Sequence, residues 1–269
     1  MTTFVFVRDS VRLHVFDSGV GMPVIFQHGL GGDEVQVAGT FPDGPGIRRL
    51  TMECRAHGSS GAGRTRPFSM SLFAADLLAA CDHLGFDRFV IGGISMGAAL
   101  ALKIAVSQPD RVRGLILARP AWGFDRAPPN MRPFTEVAAG LLSKPPAEAK
   151  ANFVASPTAS TLAIEAPDNL ASLLRFFDRP EPRTVATLLA NLAADGPEVS
   201  REAAAALNLP ALVIGHGKDF VHPLSLAEDI AGTLPRARLA VIAPKAGELE
   251  RHVTQFRSAV HEFLETLAP

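Results

Sequence analysis

Arg88-Phe-Val-Ile-Gly-Gly-Ile-Ser95-Met-Gly-Ala-Ala-Leu-Ala-Leu-Lys103 is the stretch on which the reading of this chain turns. Its first half has the aromatic and β-branched run of a buried strand. Its second half places Leu100, Ala101, Ile104 and Ala105 on one helical face. Between them stands Gly93-Ile94-Ser95-Met96-Gly97, a G-x-S-x-G motif. The bare motif arises by chance in about one chain in ten at this length, given average Gly and Ser frequencies. Its weight comes from the strand before it and the helix after it, which a serine raised on a sharp strand-to-helix turn requires. Such a turn holds the serine at positive φ and wants neighbours without side chains, which Gly93 and Gly97 supply. The following helix directs its first amides and positive dipole end at the place where negative charge develops in acyl transfer. Ser95 is therefore the expected nucleophile, and the Met96 N–H an expected oxyanion donor.

Outward from this turn, short strand-like runs alternate with longer helical ones, the pattern of a mostly parallel sheet covered on both faces. Thr3–Val7 and Val11–Phe16 read as a leading antiparallel pair. Pro23–Phe26, Leu50–Met52, Phe89–Ile91, Gly114–Leu117, Ala211–Ile214 and Leu239–Ile242 read as buried central strands, making about eight in all. Ser69–Leu84 reads as an amphipathic helix. The Pro/Ala-rich stretch 121–209 offers helical segments such as Leu170–Phe177 and Thr184–Leu192 but no strand, and is expected to be a helical cap inserted after the sixth strand of a single domain spanning 1–269.

A second signal lies upstream, where the strand Val24-Ile-Phe-Gln ends in His28-Gly29-Leu30-Gly31-Gly32. Together the two motifs resemble the α/β-hydrolase fold superfamily, in its serine esterase and lipase-like, cofactor-independent form. The resemblance implies that the Leu30 N–H joins that of Met96 in the oxyanion hole, and that His28 is structural. The segment Glu53-Cys-Arg-Ala-His57-Gly is similar to the family's Arg-Gly-His-Gly loop, which makes His57 structural too. Gly215-His-Gly-Lys-Asp219-Phe-Val-His-Pro223 is similar to the loop that carries the family's acid, so Asp219 is the expected carboxylate. It would fix the tautomer of a histidine and stabilise its imidazolium.

The base is the open question. Many relatives carry an Ala-Gly-His segment after the last strand, but here the chain reads Lys245-Ala-Gly-Glu248. The first candidate is His252, spaced with Phe256, Val260 and Phe263 on the inward face of a final helix whose N-terminal turn should lie at the carboxyl edge of the sheet. His216 and His222, flanking Asp219, are the other candidates, and a further outcome is that no histidine completes a relay. Trp122, the only tryptophan, is read as an apolar pocket wall or as a hinge anchor for the cap. Arg119 is read as pairing with an acidic residue, with a substrate carboxylate as the alternative.

Composition bounds the rest. The chain has 269 residues, 47% hydrophobic and 20% charged, with a net charge of −1, which gives no electrostatic footprint for nucleic acid or anionic membrane. The N-terminus lacks the marks of a secretory signal, and no apolar run approaches a membrane span. The expected setting is cytoplasmic, the expected partner a small-molecule substrate, with no cofactor and no metal. Cys54 and Cys81 lie outside any metal-ligand spacing and read as small buried hydrophobes. A homodimer is left open. The expected reaction is hydrolysis of an ester, thioester or lactone of a small apolar substrate through an acyl-enzyme on Ser95. The alternatives are a non-catalytic ligand-binding member of the fold, and a C–C hydrolase or cofactorless haloperoxidase-like enzyme.

Overall fold

The computed structural model describes residues 1–42 and 44–267. The chain opens with strands β1 (Thr2–Arg8), β2 (Val11–Gly19) and β3 (Gly21–Gln27), then helix α1 (Glu34–Thr40), β4 (Gly46–Met52), α2 (Met70–His83), β5 (Phe89–Ile94), α3 (Met96–Ser107) and β6 (Val112–Ala118). A helical insertion follows, comprising α4 (Arg132–Ser143), α5 (Pro146–Val154), α6 (Pro157–Glu165), α7 (Pro167–Leu174) and α8 (Pro182–Ala193). The short α9 (Arg201–Ala205) leads back to β7 (Ala211–Gly215), α10 (Leu224–Thr233), β8 (Ala237–Val241) and α11 (Leu249–Glu265). No strand is found between β6 and β7 among the described residues, in line with the absence of any alternating pattern there.

The eight strands form one sheet in the order β1-β2-β4-β3-β5-β6-β7-β8. The two pairings of β2, with β1 and with β4, are antiparallel, and all the others are parallel. The pleat sends alternate side chains to opposite faces. Phe89 and Ile91 of β5 join the core beneath α2, α3 and α10. Val90, between them, joins the core with Val37 of α1 and Phe256, Val260 and Phe263 of α11. Burial on both faces is why the central strands are apolar throughout.

The last strand departs from the sequence reading. Leu239–Ile242 is expected to be a buried central strand, but β8 lies at the sheet edge, half-buried, with Val241 59% exposed. It is apolar because α10 packs against it, while among the described residues no strand covers its outer side.

Strand β3 sits between β4 and β5, so the chain leaves it first to one side and then crosses to the other. In open parallel sheets, ligands bind at such a reversal, outside the carboxyl ends of the strands. Here those ends carry Gln27-His28-Gly29 and Ser95.

Candidate active site

Ser95 occupies the turn between β5 and α3 with φ 57° and ψ −108°. A serine at a helix N-cap ordinarily turns its hydroxyl onto the amides of the first turn. Ser95 makes no such bond, because the positive φ swings Oγ away from the helix and toward the sheet edge. The crowding behind it explains the glycines. A Cβ on Gly93 would stand 2.6 Å from the Gln27 carbonyl oxygen and from Gly97 C, and one on Gly97 would overlap the Gln27 carbonyl. Any side chain at either position would push the elbow off β3.

The group facing Ser95 is His222. Its Nε2 lies 2.8 Å from Ser95 Oγ and its Nδ1 lies 2.8 Å from Asp219 Oδ1. These partners assign the tautomer: Nδ1–H donates to the carboxylate and Nε2 accepts from the serine hydroxyl. Asp219 Oδ1 also accepts the His222 backbone N–H at 3.1 Å, so acid and imidazole stand on one turn of the β7–α10 loop. Asp219 has a side chain without solvent exposure, and that of His222 is 11% exposed.

Arg119, at the end of β6, binds the other carboxylate oxygen, with Nη2 2.6 Å and Nε 2.8 Å from Asp219 Oδ2. Burial alone would raise the Asp219 carboxyl. The Arg119 guanidinium and His222 overturn that and hold it well below the usual carboxylate range. Burial pushes the His222 imidazole below its ordinary value, Asp219 pulls it back up, and Arg119, with Nη2 3.3 Å from His222 Nδ1, pushes it down again. At neutral pH the imidazole is uncharged and able to accept a proton.

His252 is elsewhere. It faces inward on α11, as its spacing implies, but its Nδ1 is 2.8 Å from the Ala243 carbonyl oxygen and its ring stands edge-on to His216, centroids 5.3 Å apart. His216 in turn has Nε2 3.4 Å from Asp219 Oδ2 and is pushed down to about 4 by burial. The expectation that His252 meets Ser95 is thus corrected in its geometry. An inward face on α11 leads to the back of Asp219, and the imidazole against the serine comes from the preceding loop.

The two expected oxyanion donors flank the serine. Met96 begins α3 and is fully buried, and the β3 loop carrying Leu30 runs close by, a Cβ on Gly29 falling 3.3 Å from Ser95 Cβ. Neither the Leu30 nor the Met96 amide has a protein acceptor among the described residues. His28 and His57 pack with rings tilted by 42° and centroids 4.8 Å apart, both driven below their ordinary values by burial, and His28 Nε2 accepts the Cys54 amide at 3.0 Å. These contacts are structural. Trp122 is 1% exposed, and its buried Nε1 has no hydrogen-bond partner among the described residues.

The insertion lies over this edge. Phe176, in the turn after α7, packs on Gly31, where its ring takes the space of a side chain, and Arg179 donates to the Gly31 carbonyl. An open cleft of about 560 Å³ is lined by Asn130, Arg132 and Glu165 of the insertion and by Asp219, Phe220 and Pro223 of the β7–α10 loop. Among the described residues no cluster of His, Cys, Asp or Glu is placed to hold a metal ion, and no helix is long and apolar enough to cross a membrane.

Comparison with known proteins agrees with this fold. The sequence model of the alpha/beta hydrolase fold matches residues 22–248. A 2-hydroxymuconate semialdehyde hydrolase of Pseudomonas sp. (strain CF600) is 25% identical over 280 aligned residues, covering 96% of this chain and 92% of that protein. Among solved structures, a thermophilic esterase from Thermogutta terrifontis superposes with a TM-score of 0.76 at 22% identity, each chain wholly covered. The enol-lactonase of Burkholderia xenovorans LB400 gives a TM-score of 0.74 at 22% identity, covering 97% of this chain and 99% of that one.

Proposed function

The chain belongs to the alpha/beta hydrolase fold family, and from that premise we propose that it is a serine hydrolase acting on an ester, thioester or lactone through the relay Ser95–His222–Asp219. The observation that carries this reading is the unbroken pair of 2.8 Å contacts from Ser95 Oγ through the His222 ring to Asp219. Ser95 Oγ attacks the carbonyl carbon while its proton passes to His222 Nε2. The tetrahedral oxyanion takes hydrogen bonds from the Leu30 and Met96 amides. Collapse breaks the bond to the leaving oxygen or sulfur, which takes the proton from His222 and leaves an acyl group on Ser95. Water, deprotonated by the same imidazole, then releases the acid.

Support for a ligand-binding member without turnover came from the missing histidine after β8. That support weakens once His222 is found against Ser95. The name of the Pseudomonas relative brings in C–C bond hydrolysis, for which the same nucleophile and base would serve.

The test is chemical labelling. A fluorophosphonate is expected to add once per chain, and peptide mapping is expected to find the adduct on Ser95. An unlabelled, folded protein would remove the hydrolase reading. A pH profile tests the electrostatics. Burial and Arg119 lower His222, so the acid limb of kcat/KM for an activated ester should lie below the ordinary histidine value of 6.5. Arg119→Gln removes a positive charge from beside the imidazole and leaves Asp219 unopposed, so the limb should move to higher pH. A limb that stays put or moves down would show that Arg119 does not tune the base.

A further inference from the structure

His222 stands on a loop, not on a strand or helix, and its own loop offers it little besides Asp219. The preceding residue, Val221, has neither backbone polar group bonded within that loop. Its N–H donates to Asn169 Oδ1 at 2.8 Å, and its carbonyl accepts from Asn130 Nδ2 at 2.6 Å. Both asparagines belong to the insertion. Asn169 lies on α7 and is 4% exposed, while Asn130 lies in the turn before α4 and also donates to the Ala121 carbonyl at 2.8 Å, where the chain leaves β6. Val221 is itself 3% exposed, so water cannot readily replace these partners, and buried peptide groups are rarely left unpaired. The two amide side chains therefore settle how the Val221 backbone lies, and with it where the next residue projects its ring.

We propose that Asn169, seconded by Asn130, is a positioning residue for the base: by gripping the Val221 N–H and carbonyl from the insertion, the pair holds His222 Nε2 against Ser95 Oγ. The insertion is then part of the scaffold of the relay as well as its cover. Asn169 reaches the relay through the Val221 N–H, one residue from the imidazole. This inference rests on the reading of His222 as the base.

The experiment measures p-nitrophenyl acetate hydrolysis and the second-order rate of fluorophosphonate labelling, with far-UV circular dichroism and Tm on every variant. A misplacement of about 1 Å at the reacting atoms costs about 100-fold. Asn169→Ala should therefore lower kcat by about 100-fold with little change in KM. Asn169→Asp, which keeps an acceptor for the Val221 N–H, should recover most of that loss. Asn130→Asp, which deletes the donor without changing shape, should also lower kcat, and it serves where Asn169→Ala does not fold. In a His222→Ala background, Asn169→Ala should add nothing, because there is no imidazole left to misplace. A folded Asn169→Ala with unchanged kcat overturns the inference, as does an undiminished effect of Asn169→Ala in the His222→Ala background. If His222→Ala alone keeps the parent labelling rate, the base reading fails first, and that single variant tells the two failures apart.

Discussion

Ser95→Ala and His222→Ala should each lower hydrolysis of an activated ester by about 10⁶-fold, the scale seen when the nucleophile or the base of such a relay is removed, while His252→Ala should stay within about tenfold of the parent. The contrast lies in what each ring touches. His222 has one nitrogen on the nucleophile and the other on the carboxylate, both at 2.8 Å. Among the described residues no other base is hydrogen-bonded to Ser95 Oγ, and His216 and His252 lie on the far side of Asp219. Removing His252 deletes a bond to the Ala243 carbonyl and a packed ring, which costs stability but no proton acceptor. The pair Ser95→Ala/His222→Ala should be no slower than either single variant, because the two act as one unit. The measurement is kcat/KM and labelling rate for all four proteins. A His252→Ala as inactive as His222→Ala would mean that the base is misassigned.

Arg55→Ala should be the most damaging single change to stability. The Arg55 side chain has no solvent exposure, and it grips Asp76 of α2 with Nε 2.7 Å from Oδ2 and Nη2 2.9 Å from Oδ1. Asp76 is 1% exposed at its side chain and keeps one other cation, Arg8, at 2.6 Å. Truncating one partner of a buried pair leaves the other charge poorly compensated, at about 3–5 kcal/mol. For a chain of this size that corresponds to a fall in Tm of about 10 °C. Arg55→Met, which fills the space but also strands Asp76, should be nearly as damaging, whereas Arg55→Met with Asp76→Leu should recover part of the loss. Thermal unfolding of the three variants reads this directly. A Tm for Arg55→Ala within a degree or two of the parent would show that Arg8 alone compensates Asp76.

Much of the architecture was legible because it depends on local pattern. The β5–α3 turn is written in Gly93, Ser95 and Gly97, whose smallness answers a crowding that the backbone of β3 imposes. The run of eight strands and the strandless 121–209 follow from alternation and its absence. What periodicity could not supply was distance. It placed His252 on the inward face of α11, and that is where His252 lies. An inward direction at the edge of a twisted sheet, however, ends at His216, one ring short of the carboxylate and two short of the serine. The signal for His222 was present in Asp219-Phe-Val-His222. An aspartate readily takes the backbone N–H of a residue a few positions on in a tight turn, and that turn brings the side chain of the same residue back onto its carboxylate. The two asparagines carried no signal, since a polar residue on a short amphipathic helix, as Asn169 is, or in a turn, as Asn130 is, reads as solvent-facing until its partner across the fold is known.

With Asp219 and His222 read as acid and base within four consecutive residues, the bend between β8 and α11 carries no member of the proposed relay. Where many relatives keep a histidine, this chain has Lys245-Ala-Gly247-Glu248, with Gly247 exposed at φ 80° and room around its Cα. An engineer looking for a place to splice in a peptide tag, a fluorophore or a second protein would choose that bend, since lengthening it leaves the spacing between Asp219 and His222 untouched.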